Sequence, residues 1–290
     1  MLDFETDYEQ WRQAKLAAWE EASTRQFTTI VDPTALTMEE IEQLRMRCEQ
    51  SNFALYRIEN TELAGKEAIR SMVTQLGMVH LDKNLCADND SISTLKIMDL
   101  GRASGYIPYT AKALNWHTDG YYNPLQQHIR SFLLHCVQNA ADGGENMLLN
   151  HELLYIRLCD QDPALARALM REDAMTIPAN VEDGVEVRSC QSGPVFYRDA
   201  QTGKLQMRYT ARGRNIEWNN DAGVQQAVAA IEQLLVNDNG QIVRITLQPG
   251  EGLICNNILH GRSAFTNGNI PGQERMLYRC RSYDRLFSPL

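Results

Sequence analysis

The sequence predicts a mainly β protein, a double-sheet core with helices packed outside it. Three observations point there. Beyond residue 110 the chain breaks into many short apolar or alternating runs separated by Gly, Pro, Asn and Asp turns, too short and too numerous for a doubly wound parallel sheet. Helical spacing is confined to a few bounded segments. No internal repeat, low-complexity tract or linker-like break interrupts the 290 residues. We therefore expect one domain over 1–290, with residues 1–50 forming a helical and αβ extension packed on the core.

In chain order, residues 8–22 form a helix with Trp11, Ala14, Ala18, Trp19 and Ala22 on one side. A β-rich run over 27–31 closes at Asp32-Pro33. Thr37-Met38-Glu39-Glu40 has the form of a capping box and opens a helix to about residue 49. Residues 53–58 alternate as a strand, and 65–76 form a helix. From 77 to 114 the signals weaken, with loop chemistry at Asp88-Asn89-Asp90 and at 101–105, which suits a segment that shapes a pocket. Strands are expected at 129–137 and 147–149, with a turn at Asp142-Gly143-Gly144 between them. Helices follow at 151–158 and 163–170, a hairpin at 193–209, a helix at 222–236, and strands at 242–247, 252–255 and 275–282.

Bulk properties exclude several classes. The apolar share of 43% and charged share of 22% fit a globular chain rather than a disordered one. A net charge of -9 argues against nucleic acid as the main partner, because that binding depends on Lys and Arg neutralising phosphates. The acidic start Met1-Leu2-Asp3-Phe4-Glu5 lacks the basic and apolar regions of a signal peptide, and no apolar run is long enough to span a membrane, so a cytoplasmic protein is expected. Seven cysteines, an odd number without any Cys-x-x-Cys pair, read as reduced and mostly buried thiols.

The chemistry gathers around Asn115-Trp116-His117-Thr118-Asp119-Gly120. An imidazole and a carboxylate two residues apart share one side of an extended segment. Alone the pair is weak, since Asp119-Gly120 also reads as a turn. Asn256-Asn257-Ile258-Leu259-His260-Gly261-Arg262 adds a distant imidazole, His260, after a turn signal and the apolar run Leu253-Ile254-Cys255. Two His and one carboxylate hold one face of a metal and leave the others open, the donor set of non-haem Fe(II) oxygenases. Zinc accepts the same donors. His80, His128, His135 and His151 read as core or surface histidines, with His135 expected to find a backbone partner.

A second signal is Arg275-Met276-Leu277-Tyr278-Arg279-Cys280-Arg281. Strand alternation puts Arg275, Leu277, Arg279 and Arg281 on one face, where guanidinium groups require anions if buried. A carboxylate ligand suits the guanidinium fork. An edge strand pairing with surface acids is the structural alternative. Arg208, Arg212 and Arg214 form another basic cluster, for which solvated roles and substrate contact read equally.

By motif order and spacing, residues 50–285 resemble the taurine dioxygenase (TauD/TfdA) family of Fe(II)- and 2-oxoglutarate-dependent oxygenases. The resemblance rests on Asn115-Trp116-His117-Thr118-Asp119, the Gly143-Gly144 turn, Pro194-Val195 to Thr202-Gly203-Lys204, His260-Gly261-Arg262 and Arg275-x-x-x-Arg279. It implies a double-stranded β-helix (jelly-roll) core, Fe(II) held by His117, Asp119 and His260, and the far carboxylate of 2-oxoglutarate held by Arg275. The family often has Thr where this chain has Asn146, and an Asn amide also donates a hydrogen bond. The loop over 266–273 is longer than usual. Arg279 matches a position that meets the anionic group of the substrate in the taurine enzyme.

The implied reaction consumes 2-oxoglutarate and molecular oxygen, releases succinate and carbon dioxide, and abstracts hydrogen from the substrate. The protein places the target C–H and excludes side reactions. The expected outcome is hydroxylation of an aliphatic C–H in a small polar metabolite, an amino acid or other carboxylate. Desaturation is a related outcome, whereas halogenation needs an open position where Asp119 sits. A non-catalytic, metal-stabilised β-fold protein is the rival of a different class. Trp116, Tyr121, Tyr122 and Asn123 flank the His117/Asp119 pair and are expected at the substrate pocket, with Arg279 neutralising a substrate anion; the alternative has Arg279 supporting Arg275 or pairing with a buried carboxylate. The expected partner is this small molecule, without nucleic acid or membrane, and self-association stays open.

Overall fold

The computed structural model describes residues 8–22, 25–83, 90–98, 106–214, 216–238, 240–270, 272 and 274–287. Helix α1 (Tyr8–Ala22) precedes β1 (Phe27–Ile30) and α2 (Met38–Ser51). The capping box forms as the sequence predicts: Thr37 accepts from the Glu40 backbone while the Glu40 side chain reaches back to the Thr37 N–H. Asn52 ends α2 in the left-handed region, φ 63, and turns the chain directly into β2 (Phe53–Ile58). Helix α3 (Lys66–Gln75), β3 (Ile92–Leu95) and β4 (Leu114–His117) follow. Then come β5 (Ser131–Gln138), β6 (Asp142–Gly143), β7 (Asn146–Leu149), α4 (His151–Gln161) and α5 (Pro163–Leu169). The next stretch holds short strands: β8 (Met175–Ile177), β9 (Asn180–Glu182), β10 (Val185–Arg188), β11 (Gln191–Gly193), β12 (Phe196–Arg198), β13 (Leu205–Met207) and β14 (Glu217–Trp218). Helix α6 (Ala222–Val236), β15 (Val243–Ile245), β16 (Glu251–Cys255), β17 (Leu259–Arg262), β18 (Phe265–Thr266) and β19 (Met276–Ser282) complete the chain.

Two sheets carry the architecture. The larger has the order β1-β2-β16-β5-β19-β3 and the smaller the order β15-β7-β17-β4. Only the β1–β2 pair is parallel in these two sheets, so residues 27–30 are hydrogen-bonded into the large sheet rather than resting on it. Alternation along the strands divides the core into layers. Phe53, Leu55, Phe132, Leu134, Leu253 and Leu277 of the large sheet pack with Leu148, Val243 and Ile245 of the small one. Their neighbours Tyr56, Leu133, Ile254 and Cys280 face the other way, against Leu44 and Cys48 of α2 and Ile69, Met72 and Val73 of α3. Beyond the small sheet, Leu149 and Leu259 pack with α4, α5, α6 and the β12–β13 hairpin. Each fully buried Leu, Ile or Phe contributes about 1.5–3 kcal/mol, so the layers rather than local propensity hold these short strands.

Two expectations need amendment. The weak-signal stretch 77–114 contains β3, which pairs with β19 and closes one edge of the large sheet; its alternation spans only four residues, too few to stand out. His135 finds a side-chain partner rather than a backbone one: its Nδ1 lies 3.2 Å from the Tyr56 hydroxyl and its ring stacks on Tyr56. Burial pushes this imidazole down to about 4, keeping it neutral. Residues 88–89, 101–105 and Cys86 lie outside the described residues, and the other six cysteines are free thiols, all buried except Cys190. No helix among the described residues is long and apolar enough to cross a membrane.

Candidate metal centre and adjoining cavity

Strands β4 and β17 run antiparallel with His260 directly opposite His117. Residues in such register project their side chains to the same face, and the two imidazole centroids are 4.2 Å apart. Asp119 follows on the turn at Gly120, whose φ of 67 and whose clearance, 2.6 Å from a notional Cβ to Ile129 Cγ1, both demand glycine. The ligand atoms of His117, Asp119 and His260 all lie within 4.8 Å of one another, and all three residues are buried. Each imidazole Nδ1 is 2.9 Å from a backbone carbonyl, that of Asn115 for His117 and that of Ile258 for His260. Those carbonyls accept Nδ1–H and leave each Nε2 lone pair free, the arrangement that orients a metal-binding histidine.

The electrostatics favour a cation. Burial, then the neighbouring His260, pushes His117 down to about 3, and burial lowers His260, so both imidazoles stay neutral and able to coordinate. Burial works against the Asp119 charge, but Arg279 and then Arg281 hold its carboxyl below the ordinary carboxylate range. Asp119 Oδ2 is buried with no hydrogen-bond partner among the described residues. An unpartnered carboxylate oxygen facing two free Nε2 lone pairs fits a divalent metal bound on one face.

Asn257 is a functional residue whose role sequence reasoning missed. It adopts φ 46, accepts the Asp119 N–H through Oδ1 at 2.8 Å, and donates Nδ2–H to the carbonyls of Asp119 and Ile129 at 2.9 and 2.6 Å. It thereby pins the Asp119 backbone to the strand connection that carries His260. The one signal was the Asn256-Asn257 pair, since Asn tolerates left-handed backbone.

A narrow cavity runs from His117 and His260 to Arg275 and Arg262, walled by Leu114, Phe132, Leu134 and Leu277. Despite a register shift between Met276 and Leu277, Arg275, Leu277 and Arg279 all border it, as alternation predicts. Asn146 also lines the cavity, with Nδ2 3.3 Å from the Ile245 carbonyl. Burial pushes Arg275 down to about 10; burial, then Arg275, pushes Arg262 down to about 9. The Phe265 ring has a guanidinium 4.8 Å away at Arg262 and 4.9 Å away at Arg275. Arg262 donates to the carbonyls of Thr110 and Lys112. Arg275, only 5% exposed, has no carboxylate within ion-pairing distance among the described residues. A buried cation without an anion, across an apolar cavity from a metal-type triad, suits the far carboxylate of a short dicarboxylate.

Arg279 and Arg281 flank Asp119 at 3.6 and 4.0 Å. Arg281 also pairs with Asp82 and donates to the Tyr122 hydroxyl at 3.1 Å, while its Nε has no hydrogen-bond partner among the described residues. Arg279 is 8% exposed and faces the buried carboxylate of Asp119, the pairing that the alternative reading of this residue expected, and its Nε has no hydrogen-bond partner among the described residues. Trp116, Tyr121 and Tyr122 are partly buried against the helical side of the small sheet, and Asn123 donates to the Gln127 carbonyl; none of the four borders the cavity that ends at Arg275. Arg208 proves to be internal scaffolding, donating to the carbonyls of Tyr121, Met175 and Gln191.

The profile of the "Taurine catabolism dioxygenase TauD, TfdA family" matches residues 15–281. A uridine-5'-phosphate dioxygenase of Streptomyces sp is 31% identical over 205 residues, spanning 67% of this chain and 70% of that protein. One of Amycolatopsis sp is 29% identical over 170 residues, spanning 57% of this chain and 59% of the relative. Among solved structures, an asparagine oxygenase with Fe(II), hydroxyasparagine and succinate superposes with a TM-score of 0.58 at 14% identity, covering 96% of this chain and 91% of the other. The non-heme iron oxygenase OrfP with Fe and alpha-ketoglutaric acid gives 0.61 at 14% identity, covering 94% and 91%. At such identities the likeness is one of fold. The profile match over nearly the whole chain places the protein in the TauD/TfdA family of dioxygenases, with Fe(II), 2-oxoglutarate and molecular oxygen as its cofactor, cosubstrate and oxidant.

Proposed function

We propose that this single-domain chain hydroxylates an aliphatic C–H of a small anionic metabolite. His117, Asp119 and His260 hold Fe(II), Arg275 takes the far carboxylate of 2-oxoglutarate, Asn146 donates to the same molecule, and Arg279 meets the anionic group of the substrate. The two sheets are read as the halves of a double-stranded β-helix, which the family match supports. When bound, iron with 2-oxoglutarate and oxygen supplies an oxidant strong enough to remove hydrogen from an unactivated C–H. The chain's own share is placement: neutral imidazoles, a pinned Asp119, a cavity walled by leucines and Phe132, and cations at the two ends.

The observation that carries the reading is Arg279, buried beside Asp119 with its Nε unpartnered. Asp119 takes part of its charge, and a buried N–H left without an acceptor is costly until a further anion meets it. Both curated relatives are named for uridine-5'-phosphate, which makes a nucleoside 5'-phosphate the first candidate. Succinate release is measured with uridine 5'-phosphate, uridine, amino acids, organic acids, sulfonates and amines, and product mass is read for gain of one oxygen or loss of two hydrogens. Stimulation by an anionic compound, with an at least tenfold rise in its KM in Arg279→Ala, is the expected result, about 1.4 kcal/mol or more of lost binding. Turnover of neutral or cationic compounds alone, with kinetics unchanged in Arg279→Ala, overturns the anion-binding role. Absence of succinate with every compound favours the non-catalytic rival.

A further inference from the structure

Positive charge beside the metal centre does not end at Arg279. Arg188, at the end of β10, lies over the Tyr122 ring at 5.5 Å and gives one hydrogen bond, to the Pro178 carbonyl. Its Nε is buried without a partner, and no carboxylate among the described residues pairs with it. Stacking on Tyr122 alone does not explain a buried, unsatisfied N–H.

Arg212 lies near the same tyrosines. Thr210 bridges to His117, and the Ala211 N–H donates to the Trp116 carbonyl at 2.8 Å, so Arg212 emerges next to the metal-bearing strand. It has no carboxylate within ion-pairing distance among the described residues. Tyr121 feels the charge of both arginines, it meets Tyr122 edge to face at 5.2 Å, and the Tyr122 hydroxyl meets Arg281, which reaches Asp119. In a chain with 37 acidic and 28 basic residues, two guanidinium groups without a carboxylate partner among the described residues, beside one pair of tyrosines, form a cationic rim.

We infer that Arg188 and Arg212 form the outer half of a phosphate subsite over Tyr121 and Tyr122, with Arg279 on the metal side, so that the substrate is a phosphomonoester. This rests on the anionic-substrate reading above and adds to it a class and a place. Arg279 shares its charge with Asp119 and suffices for a monoanion such as a carboxylate or sulfonate. A phosphate dianion needs further donors, and the guanidinium fork matches its oxygens in pairs.

The test uses the full chain loaded with Fe(II) and 2-oxoglutarate without oxygen, titrated calorimetrically with uridine 5'-phosphate, uridine and inorganic phosphate. Uridine 5'-phosphate is expected to bind at least about tenfold more tightly than uridine, and Arg188→Ala and Arg212→Ala each to weaken it about tenfold while moving uridine less than about twofold. Arg188→Lys is expected to recover part of the loss. With oxygen, the same variants raise KM for the phosphate compound much more than they lower kcat, which a general packing defect does not do. Thermal melts confirm that each variant is folded. Unchanged affinity in Arg188→Ala and Arg212→Ala, with loss only in Arg279→Ala, overturns the rim subsite and leaves the anionic-substrate reading intact. Equal binding of uridine and uridine 5'-phosphate to the wild type overturns both, and no binding of any phosphate compound overturns the phosphomonoester class.

Discussion

Replacing Arg275 with methionine separates what this residue does for the fold from what it does for the cosubstrate. Its guanidinium is 5% exposed, faces no carboxylate among the described residues, and is pushed down by burial to about 10. Because the folded-state value lies below the unfolded one, the charged form is disfavoured in the fold at every pH below about 10, and at neutral pH the full penalty applies. That penalty is about 3 kcal/mol. Methionine removes it and retains most of the packing, so the protein without 2-oxoglutarate is expected to gain about 1–3 kcal/mol, or several degrees in Tm. Loss of the charge-assisted contact to the dicarboxylate is expected to lower 2-oxoglutarate affinity by about 2–4 kcal/mol, roughly 30- to 700-fold. Calorimetric melts with and without 2-oxoglutarate, and titrations with Fe(II) present and oxygen absent, read both quantities. A variant that melts lower and binds 2-oxoglutarate as well as the wild type refutes the reasoning and moves the carboxylate to Arg262, the other guanidinium at that end of the cavity.

Two further outcomes concern the scaffold. Asp199 accepts from Arg130 at 2.9 and 3.0 Å and from the Thr202 N–H and hydroxyl at 2.8 and 2.9 Å, with His128 3.0 Å away; burial opposes its charge, but these donors hold its carboxyl well below the usual range. Its contribution is therefore complete above the unfolded carboxyl value and lost as pH falls through and below about 4, so Asp199→Asn should lose about 2–3 kcal/mol at pH 7 and progressively less in acid, as urea melts across pH would show. Gly143 has φ 74, and a Cβ there would sit 2.2 Å from the Ala264 carbonyl oxygen, whereas Gly184 at φ 80 has open space. Alanine at Gly184 should cost only the backbone strain of about 1–2 kcal/mol. Alanine at Gly143 should cost clearly more and weaken 2-oxoglutarate, since Gly143 pairs with Phe265 beside Arg275; equal losses in the two variants would refute this.

What the sequence determined by itself was local. Apolar spacing located the six helices among the described residues, the Thr37 and Glu40 pair fixed the start of α2, and apolar runs located β5, β16 and β19. These signals are legible because helix and strand periods act over a few residues, where side chain and backbone decide together. The His117, Asp119 and His260 set was also legible, since a two-residue spacing and one distant histidine restrict the chemistry before any fold is known. Tertiary structure alone decided the rest. The register that sets His260 opposite His117, the grip of Asn257 on Asp119, the burial of Arg208 under three carbonyls and the closeness of Arg279 to Asp119 all join distant parts of the chain. Such contacts have no local period; they arise when two sheets and their helices settle on the one packing that buries their apolar faces, and only then do polar side chains acquire partners, or remain without them and await a ligand.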